Sequence, residues 1–354
     1  MRTGYAQLPL HGGKAPRWLF SRMTLLAREI VCHMVSEYGP QEVLIRMSDP
    51  FWFQSFGCVL GFDWHSSGVT TTTCGAVKEG IKGLEKDLGL YAAGGKGAAS
   101  RKTPDEIVRH CERLSKEPES LVHASKISAK VDNSCVQDGF QIYHHSFFFT
   151  DNSDWCVIQQ GFNDFYRSAR RYHWLSKELG SFVNEPHMAI CSDERTKTLD
   201  LVASESEETR TAVTEIASQP DKGVLRDLER LPDLVMPERH WVNVADMNPK
   251  YLHKIMLKTY EEKPRDFEDL LSIYGVGPKT LRALTLVSEL VYGTHASIKD
   301  PARFSFAHGG KDGTPFPVDR ETYDRTVSVL HDALRKAKVD RSEKLSAIKR
   351  LSNI

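Results

Sequence analysis

The chain has 354 residues, of which 40% are hydrophobic and 27% charged, so it can bury a sizeable core and has length for more than one. Its 47 basic and 47 acidic residues cancel, which excludes a polycation that binds nucleic acid by bulk charge; any such contact needs a local basic patch. Seven cysteines (Cys32, Cys58, Cys74, Cys111, Cys135, Cys156 and Cys191), none at C-x-x-C spacing, support neither a disulfide framework nor a cysteine zinc site.

The first residues lack the apolar stretch of a signal peptide, and no apolar run reaches the roughly 18 residues of a membrane span. Reduced thiols and no membrane contact make the cytoplasm the expected compartment. Residues 1–200 mix both element types and predict an α+β or α/β domain. A helix is expected at residues 20–38. Asp49-Pro50-Phe51-Trp52-Phe53 reads as a buried aromatic anchor, and Thr70 to Thr73 as a strand or hydroxyl-stabilised turn. Gly-Gly-Lys occurs at Gly12-Gly13-Lys14, Gly94-Gly95-Lys96 and Gly309-Gly310-Lys311. Such loops cradle phosphate or form flexible surface turns; none is a P-loop, since Leu90 stands where Lys96 would require glycine. A second helix starts near Pro104, with Thr103 as N-cap and Asp105 and Glu106 in its first turn.

Residues 126–163 are dense in chemical groups. Two β-rich runs, 142–150 and 155–159, flank the polar turn Asp151-Asn152-Ser153-Asp154 and predict a hairpin. If Thr150 pairs with Trp155, Phe147 faces Ile158 and His145 faces Gln160; a one-residue slip exchanges the faces. Asp132, Asp138, His144, His145 and Gln160 are the candidate catalytic groups for cutting a phosphodiester bond. With His173, Glu185 and His187 the aspartates and histidines offer ligands for a divalent metal, Mg²⁺ or Mn²⁺, although no pair has diagnostic spacing. Gln159, Gln160 and Asn163 suit a nucleobase edge. Residues 165–174 follow; on a helix Arg167 and Arg171 lie one turn apart, as do Arg170 and Trp174. Arginines interleaved with aromatics suit phosphate and base contacts, so Arg167, Arg170, Arg171 and His173 are candidate DNA-binding residues. The plainer alternative is a solvated basic face over an aromatic stripe.

Residues 201–234 are expected as a polar helical connector and 235–354 as an all-α domain. Asn248 and Pro249 can open a helix, and Tyr323, Val327, Leu330 and Leu334 make an apolar stripe at helical spacing. Between them residues 266–291 read as an apolar helix, the turn Gly275-Val276-Gly277, and a second apolar helix from Pro278. This resembles the helix-hairpin-helix motif of DNA repair enzymes and nucleases. Two glycines permit a tight turn and close approach to a phosphate, and the helix N-terminus presents free N–H groups to an anion. Lys279 adds charge and Thr280 a hydroxyl, so Gly275, Val276, Gly277, Lys279 and Thr280 are expected to grip DNA backbone phosphates with little sequence selectivity. An ordinary turn between packed helices is the alternative.

In glycosylases of that resemblance with lyase activity, a lysine of the turn attacks the sugar and a later Val-Asp supplies a carboxylate. The resemblance puts these roles on Lys279 and on Asp319 of Pro317-Val318-Asp319, with an insert at residues 308–315 between them. The iron–sulfur cysteines of one branch of that family are absent. Over nearly the full length, Thr3-Gly-Tyr-Ala-Gln-Leu-Pro-Leu-His-Gly-Gly-Lys14, Ser67-Gly-Val-Thr-Thr71, Trp155-Cys-Val-Ile-Gln-Gln-Gly161, Ala169-Arg-Arg-Tyr-His-Trp174 and Pro186-His187 resemble an archaeal and bacterial family catalogued as a domain of unknown function, number seven-six-three. That resemblance implies a shared fold and a link to DNA. The expectation is a DNA-processing or repair nuclease held on DNA by its C-terminal domain. The alternatives are a glycosylase/abasic-site lyase using Lys279 and Asp319, and a non-enzymatic DNA-binding adaptor.

Overall fold

Proline and glycine punctuate the first helices. In the computed structural model, which describes residues 15–62, 67–192, 194–218, 249–302 and 320–352, α1 (Arg17–Tyr38) ends at Gly39 and Pro40 immediately opens α2 (Pro40–Ser48). Asp49 then caps α3 (Pro50–Leu60), its carboxylate accepting from the N–H of Phe51 and Trp52 at 2.8 and 2.9 Å. Every residue of α3 after Pro50 is buried, as the aromatic run predicts. The Thr70–Thr73 run is neither strand nor turn: it lies in α4 (Gly68–Ile81), with Thr70 and Thr73 buried. Packing against α1 overrides the reluctance of β-branched residues to be helical. That contact is close, since a Cβ on Gly80 would sit 2.9 Å from the Thr24 carbonyl.

A short helix α5 (Glu85–Leu88) leads into β1 (Leu90–Lys96). Gly94-Gly95-Lys96 is thus the end of a strand, not a flexible turn; its two sequence counterparts lie outside the described residues. After α6 (Ala98–Arg101) comes α7 (Thr103–Leu114), where the Thr103 hydroxyl donates to Ser100 O instead of capping its own helix. Then follow α8 (Glu119–Ser134), β2 (Val136–Gln137), β3 (Gln141–Thr150), β4 (Trp155–Asn163), β5 (Ser168–Leu175), β6 (Ala189–Cys191) and β7 (Leu199–Asp200). Strands β1-β3-β4-β5-β6 form one antiparallel sheet in that order, and β2 pairs with β7.

The β3–β4 register is slipped by one residue from the expected pairing: Phe149 faces Trp155, Phe147 faces Val157 and His145 faces Gln159. The turn is the reason. Thr150 N–H bonds Asp154 O at 2.9 Å and Ser153 takes a left-handed φ of 63°, so Asp154 belongs to the closing pair. Residues 168–174 are strand, not helix, so Arg170 and Arg171 point to opposite faces of the sheet.

Both faces of the sheet are covered. On one, Phe147, Val157, Tyr172 and Trp174 pack against α7, α8 and α9 (Glu207–Ser218). The same cluster takes in α10 (Pro249–Glu262), α11 (Phe267–Ser272) and α12 (Pro278–Tyr292). On the other face, Phe148, Cys156 and Ile158 pack against α1 to α4, joined by α13 (Arg320–Lys336) and α14 (Arg341–Leu351). Residues from both sides of positions 200 and 234 therefore share each cluster, and helices after 249 lie on both faces. No helix among the described residues is long and apolar enough to cross a membrane.

Gly94 is the tightest point of β1. Its φ is 86°, and a Cβ there would fall 2.2 Å from the His145 carbonyl oxygen. Gly83 has a similar φ of 83° with nothing near. Gly94→Ala should therefore cost at least about 2 kcal/mol more stability than Gly83→Ala in denaturant unfolding. Equal costs would mean that β1 can move away from β3.

Candidate functional site

Because the sheet is covered on both faces, alternation sorts its polar side chains into two buried layers. The layer under α8 centres on Asp132, which the helical spacing of Ser125, Ser128 and Asp132 brings over β3, β4 and β5. The Asp132 carboxylate is wholly buried. It accepts from Gln159 Nε2, from Trp174 Nε1 at 3.0 Å, and from His187 Nε2. Gln159 Oε1 is 3.0 Å from His145 Nδ1, and His145 Nε2 is 2.9 Å from Ser125 Oγ. Since an amide oxygen only accepts, Nδ1 carries the proton and Nε2 accepts from the Ser125 hydroxyl. A directed relay results: Ser125 to His145 to Gln159 to Asp132. Ser125 and His145 are buried, so no substrate reaches it in this conformation.

Asp138 anchors a second part of this layer. It accepts from Arg170 at 3.0 Å, from the Tyr172 hydroxyl at 2.6 Å and from Phe140 N–H at 2.9 Å. Arg170 also donates to Asp300 at 2.7 Å and to Glu194 O at 2.8 Å, with its guanidinium 4.5 Å from the Phe140 ring centre. Burial raises the Asp138 carboxyl while Arg170 pulls it down. Burial opposes the charge on Arg170, but Asp138 and Asp300 outweigh it and hold the guanidinium protonated.

The opposite layer holds His144, Gln160, Arg171 and His173. Arg171 donates to Gln54 Oε1 at 3.0 Å and lies 4.6 Å from the Phe53 ring centre; burial lowers it to about 10. His173 Nδ1 is 3.2 Å from Met47 O. His144 Nε2 is 3.1 Å from Ser146 Oγ, and burial, His145 and Lys96 push His144 down to about 3. Gln160 Nε2 donates to Ser67 O at 2.9 Å and to the Tyr143 hydroxyl.

The structure therefore divides the expected catalytic set. Asp132, Asp138 and His145 lie on one side of the sheet, His144 and Gln160 on the other, because the register puts Gln159 and not Gln160 beside His145. Arg170, Arg171 and His173 cannot hold a phosphate at the surface: all three are 0% exposed, since β5 is covered on both faces. Arg167 is exposed, on the β4–β5 turn. Among the described residues no three His, Cys, Asp or Glu side chains are grouped to hold a metal ion.

The turn before α12 is built differently. Asp266 caps α11 through Asp269 N–H at 2.8 Å, and Val276 is wholly buried as the anchor of the turn. Gly275 has φ 100°, and a Cβ there would meet Ile255 Cδ1 at 2.4 Å, so glycine is required twice over. Carbonyls of the turn are tied back: Ile273 O by Lys130 Nζ at 3.5 Å, Tyr274 O by Lys258 Nζ at 3.1 Å, Gly275 O by the Tyr251 hydroxyl at 3.0 Å. Gln137 Nε2 donates to Pro278 O at 3.0 Å, and Gln137 Oε1 accepts from Arg282 Nε at 2.8 Å. No side chain caps α12, which starts at Pro278 after an extended Gly277. Lys279 is exposed; Thr280 is buried, so its side chain does not face a surface ligand as expected. Asp319 lies outside the described residues. The sequence reading gave no role to Tyr251 and Lys258. Their signal is spacing: with Ile255 they fall one and two turns apart on the face of α10 that meets the turn.

Three buried imidazoles make a test. Burial lowers His144, His145 and His173, with coulombic repulsion from neighbouring positive groups adding to the shift of His144 and His173. A depressed folded value against an unfolded one near about 6.5 means that the unfolded chain binds more protons below that pH. Each histidine then removes up to about 1.4 kcal/mol of stability per pH unit as pH falls from about 6.5 towards its folded value. In an NMR titration of histidine-labelled protein, the His144 ring should stay neutral to below about pH 5. A midpoint near the ordinary histidine value would show that water reaches this layer.

A family model described as protein of unknown function (DUF763) matches residues 4–318, and the chain belongs to that family. No curated protein and no solved structure matches the chain.

Proposed function

We propose that this family member is a DNA-processing protein that grips duplex backbone through the turn at residues 273–277, used as a helix-hairpin-helix clamp. One observation carries the reading: the polarity of the turn. The carbonyl oxygens of Ile273, Tyr274 and Gly275, which repel a phosphate, are engaged by Lys130, Lys258 and Tyr251. The N–H groups of the first turn of α12 have no intrahelical acceptor and no side-chain cap. Exposed Lys279 stands beside them. Donors, helix dipole and a cation thus face one way and acceptors another, which suits an anion of low sequence selectivity.

For chemistry, the exposure of Lys279 favours a second reading. Among the described candidate catalytic residues it is the exposed one; Asp132, Asp138, His144, His145 and Gln160 are buried. An amine at the clamp can attack C1′ of an abasic site, expel water and leave an imine. Metal-assisted hydrolysis with Mg²⁺ or Mn²⁺ would instead need a rearrangement that brings the buried carboxylates together.

Gly277→Ala decides the clamp. Its φ of −135° suits alanine and the nearest heavy atom to the added Cβ is 4.0 Å away, so the fold should survive. The methyl group would stand in the path of the phosphate. Duplex affinity should fall by about tenfold or more, and Lys279→Ala should reduce the salt slope by about 0.9. Unchanged duplex binding by Gly277→Ala would remove the clamp. Borohydride trapping on abasic DNA in EDTA, lost with Lys279→Ala, would support the lyase reading. Cutting that requires Mg²⁺ or Mn²⁺ and survives Lys279→Ala would favour hydrolysis.

A further inference from the structure

A cleft of about 1280 Å³ opens on the α1–α4 side of the sheet, away from the Asp132 relay. Three cations line it, Arg17 from α1, Lys96 from the end of β1 and Arg101 from α6. All three are exposed, and none makes an ion pair among the described residues. Asp164 is the acidic residue in the lining. The lining also holds the half-buried rings of Tyr143 and Phe162, from the ends of β3 and β4. Lys96 Nζ lies 5.6 Å from the Tyr143 ring centre. On the α4 side Gly68, Thr71 and Gly75 keep the wall low.

Beneath the cleft Gln160 is wholly buried. Its Nε2 donates to two lining residues, Ser67 and Tyr143, while its Oε1 has no partner among the described residues. An acceptor left open under a polar lining fits a ligand or water that donates to it.

Aromatic rings and exposed cations lining one cleft are what a single nucleic-acid strand needs: bases stack on rings and phosphates meet the cations. The volume exceeds the roughly 300–1,000 Å³ of a small-molecule site, which leaves room for more than one nucleotide. The cleft also lies near the clamp. Gln137 is bonded to Pro278 O, and Gln141, four residues on, lines the cleft. That segment spans at most about 14 Å. At about 3.4 Å per nucleotide along a strand, one DNA molecule can touch both.

We propose that this cleft binds a short stretch of single-stranded DNA, with Lys96, Arg101 and Arg17 on its phosphates and Tyr143 and Phe162 stacking its bases. The proposal rests on the reading of the 273–277 turn as a DNA clamp, and it assigns the Gly-Gly-Lys end of β1 a role that the clamp does not use. A duplex end or a distorted site would supply the strand, with the clamp holding the adjoining duplex.

Fluorescence anisotropy of the full chain with a short oligothymidylate and with a blunt duplex tests this. The double variant Lys96→Ala/Arg101→Ala changes two exposed side chains, and its thermal unfolding should match that of the unsubstituted protein. Its affinity for the oligothymidylate should fall by about tenfold or more, with the salt slope shallower by about 1.4, while duplex binding holds. Phe162→Ala should weaken oligothymidylate binding without changing the salt slope, the signature of lost stacking. Gly277→Ala should do the reverse of the double variant. If the oligothymidylate binds the double variant as tightly as the unsubstituted protein, or does not bind the latter at all, the cleft proposal falls. If duplex binding then still depends on Gly277, the clamp stands alone. If duplex binding is absent or indifferent to Gly277, the clamp reading falls as well.

Discussion

The Asp132 carboxylate is wholly buried between α8 and the sheet, and three elements meet on it: β4 through Gln159, β5 through Trp174, and the segment before β6 through His187. A buried charge is costly unless its acceptor sites are filled. Each donor serves the need of this one group, and the placement of β4 beside β5 under α8 is tied to it. A slip of one residue would take Gln159 and Trp174 away together and leave the carboxylate unpaired. The Asp138–Arg170–Asp300 set repeats the constraint further along β5, tying the sheet to residue 300 beyond α12.

This constraint explains why polar residues that look catalytic in sequence lie buried and hydrogen-bonded to one another in the fold. Histidine, glutamine, arginine and aspartate in a β-rich run are the vocabulary of an active site. They are equally what a sheet covered on both faces needs to close its own hydrogen bonds. The exposed cations lie at the margins, among them Arg167, Lys279 and those around the cleft.

The legible features were those set by local chemistry. Pro104 and Pro249 mark helix starts, the β-rich runs before and after Asp151 mark the hairpin, and Gly275-Val276-Gly277 marks the tight turn. What was not legible depended on partners distant in the chain. Residues 168–174 have helical spacing of arginines, yet neighbours on both sides pull them into β5. Thr70 to Thr73 favour a strand, yet α1 holds them in a helix. The pairing of His145 with Gln159 turned on the left-handed Ser153, which no pattern of hydrophobicity reveals. The cleft was hidden for the same reason, because its lining comes from six separated segments.

The two ends of the chain share one core. Arg350 in α14 donates both Nε and a terminal nitrogen to the carbonyl of Val59 in α3, at 3.0 and 2.7 Å across 291 positions. Leu330 and Leu334 close over the same apolar cluster as α1 and α3. On a ribosome adding about 5–20 residues per second, the first helices emerge roughly 15–60 s before the segment that covers them. For that interval the almost wholly apolar α3 lacks the cover of α14, so the youngest chain is the one most exposed to aggregation and to chaperones. Truncation at the last helices would not trim an appendage. It would hold the protein in its newborn state.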